Sequence, residues 1–379
     1  MEQPFDFSNL GAMLQQLGAM MQRADALPEG AVDWEAARQA ARQAISAGGD
    51  PSVVDAERTR VHEAVVLAQL WLDAITDLPS PSQQALAWSR SEWLEATFDG
   101  WRGLLEPIAA SMQRSITDAV NQAELPPHMA MTAAPMLGFA RRLSGVLVAQ
   151  QMGAALAALA RDAWSPSDIG IPLVAPGATA LVTGNTRAFA ESLDIDVRDL
   201  ETYLALREAA AGRLFAAAPW IGPRVRDAVA GYAAEVRIDL GRLQELAQGL
   251  DLSDPAALQE ALQGGVELPT TPGQAAALAR VEVLIALIEG WIDVVVEAAH
   301  GGRLGNAAAI HEALRRRRAD GGPAERTFAQ LLGLELRPRR LREAAAFWAA
   351  QDPAERDGLW RHPDFLPDSL GEAPTPPLD

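Results

Sequence analysis

The residue best placed to act as a catalytic base is a glutamate on a segment with a helical pattern. In Tyr203–Ile221 (YLALREAAAGRLFAAAPWI), Glu208 directly follows Arg207 and precedes Ala211 by three residues. A helix of the type H-E-x-x-H carries two histidines on one face, which hold one zinc ion, and its glutamate takes a proton from the metal-bound water. Because Arg207 and Ala211 stand where that pattern has histidines, two interpretations remain: a metal site without its ligands, or an ordinary alanine-rich helix.

The five histidines of the chain do not complete such a motif elsewhere. His62 and His311 are each followed by glutamate, but the fourth positions after them hold Val66 and Arg315. A single histidine does not make a zinc site, so we interpret each one as a structural or surface residue. The sequence also lacks a G-x-S-x-G motif, a P-loop, and a G-x-G-x-x-G after a strand, which leaves no other motif for nucleophilic or phosphate chemistry.

The composition narrows the classes of partner. The formal net charge is −18 and the chain has no cysteine. Such acidity disfavours nucleic acid and anionic membranes, and the lack of cysteine excludes disulfides and thiol catalysis and fits a cytoplasmic protein. The most apolar helical stretch, Leu143–Ala160, is interrupted by Gln150 and Gln151. We therefore expect it to be a core helix and expect no membrane span.

The pattern that must position Glu208 is mainly α-helical. Apolar residues recur at helical spacing in these segments: Trp34–Ala47, Asp55–Thr76, Gln84–Met112, a stretch from Pro126 to Trp164, Val197–Ala218, Arg224–Glu235, Asp254–Leu262, Pro272–Ala299, Leu304–Arg318, Ala324–Leu332 and Arg339–Ala350. Between them, Ser165–Asn185 is rich in proline, glycine and short β-branched runs. This insert predicts a small β-hairpin or an irregular loop.

No long linker divides the helical pattern, so we expect one integrated domain over residues 31–370, with halves at about 31–164 and 186–370. Residues 1–30 are predicted to be a mobile or docking segment, and residues 371–379 a disordered tail. Trp88, Trp93 and Trp101 recur close to helical spacing. A packed core explains them better than a platform for stacking a ligand.

Several long stretches resemble one known family. These stretches are Ala87–Trp101, Ser167–Leu173, Tyr203–Trp220, Leu284–Val296 and Gly321–Trp348. They are similar to an actinobacterial family of candidate zinc-dependent metalloproteases, also described as hydrolases, which is zincin-like and related to proteins associated with coenzyme F420 biosynthesis. The resemblance runs from about Asn9 to Pro367 and implies a zincin-like multi-helix domain.

The resemblance assigns roles to the helix that contains Glu208. Family members with a full motif carry His-Glu-x-x-His, then a phenylalanine and Pro-Trp. Phe215 and Trp220 match the later landmarks. The glutamate is kept as Glu208, whereas Arg207 and Ala211 occupy the histidine positions. Glu208 is by this resemblance a vestigial general base.

The resemblance also covers a second segment, which in fuller members reads Glu-Gly-His-Ala-Asp. Here Glu289 is kept as the third ligand position, Trp291 replaces the histidine, and Asp293 closes the segment. Catalytic zinc normally takes three protein ligands and a water. Although the family implies zinc, we expect no cofactor in this chain, because Glu289 alone cannot hold the metal.

We hypothesise that the guanidinium of Arg207 replaces the metal ion and pairs with Glu289. A second hypothesis keeps a cation: Glu289 and Asp293, four residues apart, could join Glu208 in an all-oxygen site for Mg²⁺ or Ca²⁺. Under a third, Arg207 is a surface residue on a plain helix.

The sequence thus predicts a zincin-like protein with an eroded site, non-catalytic, that binds an unidentified protein or peptide partner in the old cleft. An active metal-dependent hydrolase with a non-standard site, using Glu208 and Glu289, is the alternative, and a purely structural or assembly protein is a third possibility. The candidate cleft residues are Phe215, Trp220, Trp291 and Asp293.

Overall fold

The structure is a computed structural model that describes residues 32–81, 84–122, 145, 148–234, 271–319, 326–327 and 340–370. Within these ranges the chain is mainly α-helical, which confirms the fold class predicted from the sequence. The helices are α1 (Trp34–Ala47), α2 (Asp55–Leu72), α3 (Arg90–Gln122), α4 (148–162), α5 (Thr183–Leu193), α6 (Val197–Ala217), α7 (Ile221–Ala234), α8 (Pro272–His300), α9 (Ala307–Ala319), α10 (Leu341–Ala349) and α11 (Pro353–Arg356). Two 3-10 turns follow at Asp357–Arg361 and Pro363–Phe365.

Side chains at the N-terminal ends explain where the two site helices begin. Asp196 accepts a hydrogen bond from the backbone N–H of Arg198 (2.9 Å) and so caps α6. At α8, Thr271 and Gln274 bond reciprocally to each other's backbone N–H groups, with Pro272 in the first turn. Both devices satisfy donors that a helix start leaves unpaired, and they fix the registers of the helices that carry Arg207 and Glu289.

A two-stranded parallel sheet links distant parts of the chain. Strand β1 (Ala85–Trp88) pairs with β2 (Thr179–Val182), with Ala85 opposite Thr179 and Trp88 opposite Val182. All residues of β2 are buried. The sheet therefore anchors the irregular segment before β2 against the helices.

Helix α8 lies at the centre of the core and is buried along most of its length. It packs against α6, α7 and α10. The crossing with α10 is close at Gly290, where an added Cβ would lie 2.8 Å from the carbonyl carbon of Ala344. Buried apolar residues from Val32 to Leu370 form one continuous cluster, so the site helices are held by the same core as the rest of the described chain.

One predicted helix needs correction, and the structure decides between the two forms predicted for the insert. Gln84–Met112 does not form one helix, because residues 85–88 are paired as β1 and α3 begins at Arg90. For Ser165–Asn185 the irregular alternative is confirmed and the hairpin is not formed: residues 163–178 are irregular, residues 179–182 pair with β1, and α5 begins at Thr183. The short strand Ala-Leu-Ala-Trp lacks β-branched residues, and its partner is remote in sequence.

Some predictions concern residues outside the described ranges. These are the segment 1–30, the tail 371–379, the helix Asp254–Leu262, most of Ala324–Leu332, and, apart from residue 145, the part of the stretch from Pro126 to Trp164 that precedes residue 148. Among the described helices, none combines the length and apolarity that crossing a membrane requires.

Candidate functional site

Arg207 on α6 binds two acidic side chains of α8. Its Nη2 donates to Glu289 Oε2 at 2.5 Å, and its Nη1 donates to Asp293 Oδ1. Glu289 and Asp293 are four residues apart and therefore lie on the same face of α8. The ion pair expected between Arg207 and Glu289 is thus present, and Asp293 adds a second carboxylate to the same guanidinium.

This cluster is removed from water. The exposed fraction is 11% for the Arg207 side chain, 4% for Glu289 and 11% for Asp293. Burial alone would lower the pKa of Arg207, but the charges of Asp293 and Glu289 outweigh it and raise the pKa of Arg207 above its ordinary value. Arg207 is therefore a permanent cation between two carboxylates.

Glu208 points to a different set of partners. Its Oε2 accepts hydrogen bonds from the Oγ of Ser167 and from the backbone N–H of Ser167, the latter at 3.3 Å. Burial raises the pKa of Glu208 to about 7, against the opposing effect of the bonds from Ser167 and Ser165. A carboxyl group with such a pKa exchanges its proton near neutral pH, as a general base does.

The segment Ser165–Gly170, here called the covering loop, lies over both carboxylates. The backbone carbonyl of Ser165 accepts from Trp93 Nε1 at 3.1 Å, and Asp168 accepts from the backbone N–H of Trp164 at 3.2 Å. Gly170 has φ +70°, and an added Cβ there would lie 2.8 Å from Glu289 Oε1. Glycine is therefore required both by the left-handed backbone and by the close approach to Glu289.

The cavity between the covering loop, α6 and α8 is very small. It is lined by residues that include Ser167, Arg207, Glu208 and Glu289, and its volume is about 10 Å³. That is room for at most one water molecule. A peptide carbonyl cannot reach Glu208 unless the covering loop moves.

The remaining site residues predicted from the sequence lie elsewhere. Ala211 is 1% exposed and belongs to the core. Phe215 lines a surface groove beside the end of α6, and Trp220 lines another cavity beside α7. Neither residue lines the cavity at Glu208: Phe215 lies seven positions further along α6, about two helical turns away, and Trp220 lies beyond the end of that helix.

Trp291 packs in the core rather than at a cleft. Its side chain is fully buried, and its Nε1 donates to Asp357 Oδ1 at 3.0 Å. Its ring lies edge-on to Trp360, with 6.5 Å between centroids. As a large aromatic with a satisfied N–H, Trp291 joins α8 to the C-terminal 3-10 turn.

Tyr203 extends the network around Arg207. Its hydroxyl lies 3.0 Å from His311 Nδ1. Burial raises the pKa of Tyr203 to about 12, partly offset by the charge of Arg207, and burial lowers the pKa of His311. Tyr203 and His311 are therefore a neutral pair, consistent with the structural role assigned to His311. The sequence gives no signal for their contact, since they lie on separate helices.

The residues around Arg207 do not fit a zinc ion. Ala211 offers no donor atom, and the guanidinium of Arg207 already binds Glu289 and Asp293. A dication beside this fixed positive charge would be repelled, which also argues against the all-oxygen site. In the part of the chain that the structure describes, no group of three or more His, Cys, Asp or Glu residues has a geometry suited to a metal.

The chain belongs to the zincin-like metallopeptidase family, whose family model matches residues 32–371.

One solved structure is similar over most of its length. It is a crystal structure of a candidate hydrolase with a novel fold from Chloroflexus aurantiacus, with a TM-score of 0.60 and 21% sequence identity, covering 88% of this chain and 92% of that one. At this identity the likeness shows a shared fold. No curated protein matches the chain.

Proposed function

We propose that this zincin-like protein does not hydrolyse peptides and that it acts by binding a protein or peptide partner. The observation that supports the proposal is the contact of Arg207 with Glu289 and Asp293. A positive charge from the chain itself compensates the carboxylates that a metal ion would otherwise compensate. The fold keeps its acidic site residues without needing zinc.

The surroundings of Glu208 support the same proposal. A general base must reach the proton that it abstracts, directly or through one water. Glu208 is bonded to Ser167 and faces a cavity of about 10 Å³. This space does not accommodate a peptide bond together with an attacking water, so the described conformation favours a binding role.

An active hydrolase with a non-standard site is a second candidate, and the pKa of Glu208, about 7, favours it. A base poised near neutral pH is common at catalytic sites. Burial alone explains this pKa, however, since desolvation is its largest cause. This candidate also requires the covering loop to open and Arg207 to leave its two carboxylates.

Metal analysis of untagged protein, purified without chelators, tests the proposal. We expect no stoichiometric zinc and no change in melting temperature on addition of EDTA, because the site is compensated by Arg207. Stoichiometric zinc, together with peptidase activity that EDTA abolishes and zinc restores, would establish the hydrolase instead.

Restoring the ligands tests the assignment of the helix. The double variant Arg207→His/Ala211→His places two imidazoles at i and i+4 of α6, the first of them at the position that contacts Glu289. We expect added zinc to raise the melting temperature of the double variant but not that of the single variant Arg207→His. A folded double variant that ignores zinc would mean that α6 does not occupy the position of a metal-binding helix.

A further inference from the structure

A large groove is lined partly by the residues that directly follow the covering loop. Its volume is about 670 Å³, within the range of ligand-binding clefts. One wall is the segment 172–176, which continues the covering loop, and the other is the corner between α6 and α7 at residues 215–226. The groove is therefore built on the same helix, α6, as the closed site at Glu208, and on the segment that follows the covering loop.

The loop wall is fixed against α3. A Cβ added at Gly100 would lie 2.1 Å from the carbonyl oxygen of Leu173, so the loop backbone rests directly on the helix. Leu173 and Phe215 are buried at the base of the groove, whereas Ala216 is exposed at its edge. The groove is thus a preformed surface feature, open to solvent along its length.

The lining has an unusual chemical composition. Five of the lining residues are prolines: Pro81, Pro172, Pro176, Pro219 and Pro223. Proline has no backbone N–H, so this surface offers few donors to the carbonyl groups of a docked β-strand. A polyproline II segment suits it better, because that conformation does not rely on backbone hydrogen bonds and docks through apolar side chains.

Arg226 supplies the charge of the groove. It is exposed, and every other lining side chain is apolar or glycine. Among the residues that the structure describes, Arg226 has no hydrogen-bond or ion-pair partner. A lone guanidinium at an apolar groove is complementary to an occupant with one carboxylate.

We propose that this groove binds a short proline-containing segment of a partner protein, with apolar residues against Leu173 and Phe215 and one acidic side chain on Arg226. The proposal rests on the proposed function, because it supplies the site at which a peptide partner binds. It moves the binding surface from the old cleft, which is closed, to the groove beside it.

A peptide fits the groove better than two other occupants. A fatty acid also combines an apolar chain with a carboxylate, but small ligands are usually enclosed over most of their surface, and this groove is open. A second copy of the chain would approach against mutual repulsion, since each copy carries a net charge of −18.

Selection from a display library of short random peptides tests the proposal with the full chain as bait. Counter-selection uses Ala216→Asp, which places a charge at the groove edge. The matched control is Ala217→Asp, at a neighbouring alanine that is also exposed but lies outside the lining. We expect enriched peptides that contain proline and one acidic residue and that bind the control like the parent. Absence of enrichment, or equal binding to Ala216→Asp, would overturn the proposal.

The role of Arg226 is tested with a synthetic copy of an enriched peptide and with its acid-to-amide analogue. Arg226→Gln should weaken binding of the acidic peptide about threefold to fivefold, as expected for an exposed ion pair, and should leave the amide analogue unaffected. The control Arg224→Gln, on the same helix, should change neither. Equal loss for both peptides would refute the pairing with Arg226.

Two other results would assign the groove to a different occupant, and neither depends on the test of the proposed function. Dimerisation abolished by Ala216→Asp would assign the groove to a second copy, and displacement of a fluorescent fatty acid without peptide binding would assign it to a lipid; either result overturns the peptide proposal. Metal analysis tests the site at Arg207 and is independent of the groove. If the protein contains no metal and the groove binds no peptide, this inference is refuted, but the proposed loss of hydrolysis is not.

Discussion

Replacing Arg207 by methionine removes the positive charge from the site while keeping most of its apolar volume. Glu289 and Asp293 then lose a cation that each contacts directly, in surroundings where their side chains are 4% and 11% exposed. Removing one partner of a buried ion pair typically costs about 3–5 kcal/mol. We expect Arg207→Met to lower the free energy of unfolding by about that amount.

The assay is equilibrium unfolding in urea, followed by circular dichroism. Arg42→Met is the matched control: Arg42 donates to Glu95 at 2.6 Å, a similar distance, but the two side chains are 47% and 38% exposed. Exposed pairs contribute at most about 1 kcal/mol. The triple variant Arg207→Met/Glu289→Gln/Asp293→Asn should recover most of the loss, because it removes the charges that Arg207 compensates.

Equal costs for Arg207→Met and Arg42→Met, or no recovery in the triple variant, would refute the view that Arg207 compensates a buried acidic pair.

Two further predictions concern neighbouring residues. Between pH 4.5 and about 7, the folded state keeps a proton on Glu208 that the unfolded chain loses, so stability should fall as the pH rises through that window, by up to about 3 kcal/mol. Glu208→Gln should remove this slope, measured by unfolding at several pH values, and an unchanged slope would assign it to other groups. Gly290→Ala should lower the free energy of unfolding by about 1–3 kcal/mol, because the added methyl group overpacks against Ala344. The control Gly212→Ala has open space around its Cβ and should raise stability slightly. Similar melting temperatures for the two variants would contradict the close crossing of α8 and α10.

The helical part of this fold could be predicted because its signals are local. Helix α1 has the predicted bounds Trp34–Ala47, and α6 and α8 each differ from the predicted bounds by one residue at the C-terminal end. Capping residues and apolar periodicity act within a few residues of each other. The strand Ala85–Trp88 was missed because its structure depends on pairing with a segment about ninety residues away.

At the site, too, features set by local spacing could be predicted, whereas features set by distant contacts could not. The spacing of Glu289 and Asp293 places both on one helix face, so a contact of Arg207 with both could have been inferred, although only Glu289 was paired with it. The role of Ser167 has no signal in the sequence, because it depends on where the irregular segment before β2 crosses α6. The burial of Trp291 also has no signal in the sequence. It depends on the hydrogen bond to Asp357, which lies 66 residues further along the chain.

The parallel pairing of β1 with β2 has a consequence for the order of folding. Forming it closes a loop of about ninety residues, an entropic penalty that must be met before the pairing stabilises the chain. The covering loop lies just before β2, and the backbone N–H of Val182 donates to the carbonyl of Trp164 at the other end of this segment. The contact of α6 with α8 closes a loop of similar length, because Arg207 and Glu289 are 82 residues apart. We therefore expect both long-range contacts, and with them the cover over Glu208, to form together and late in folding.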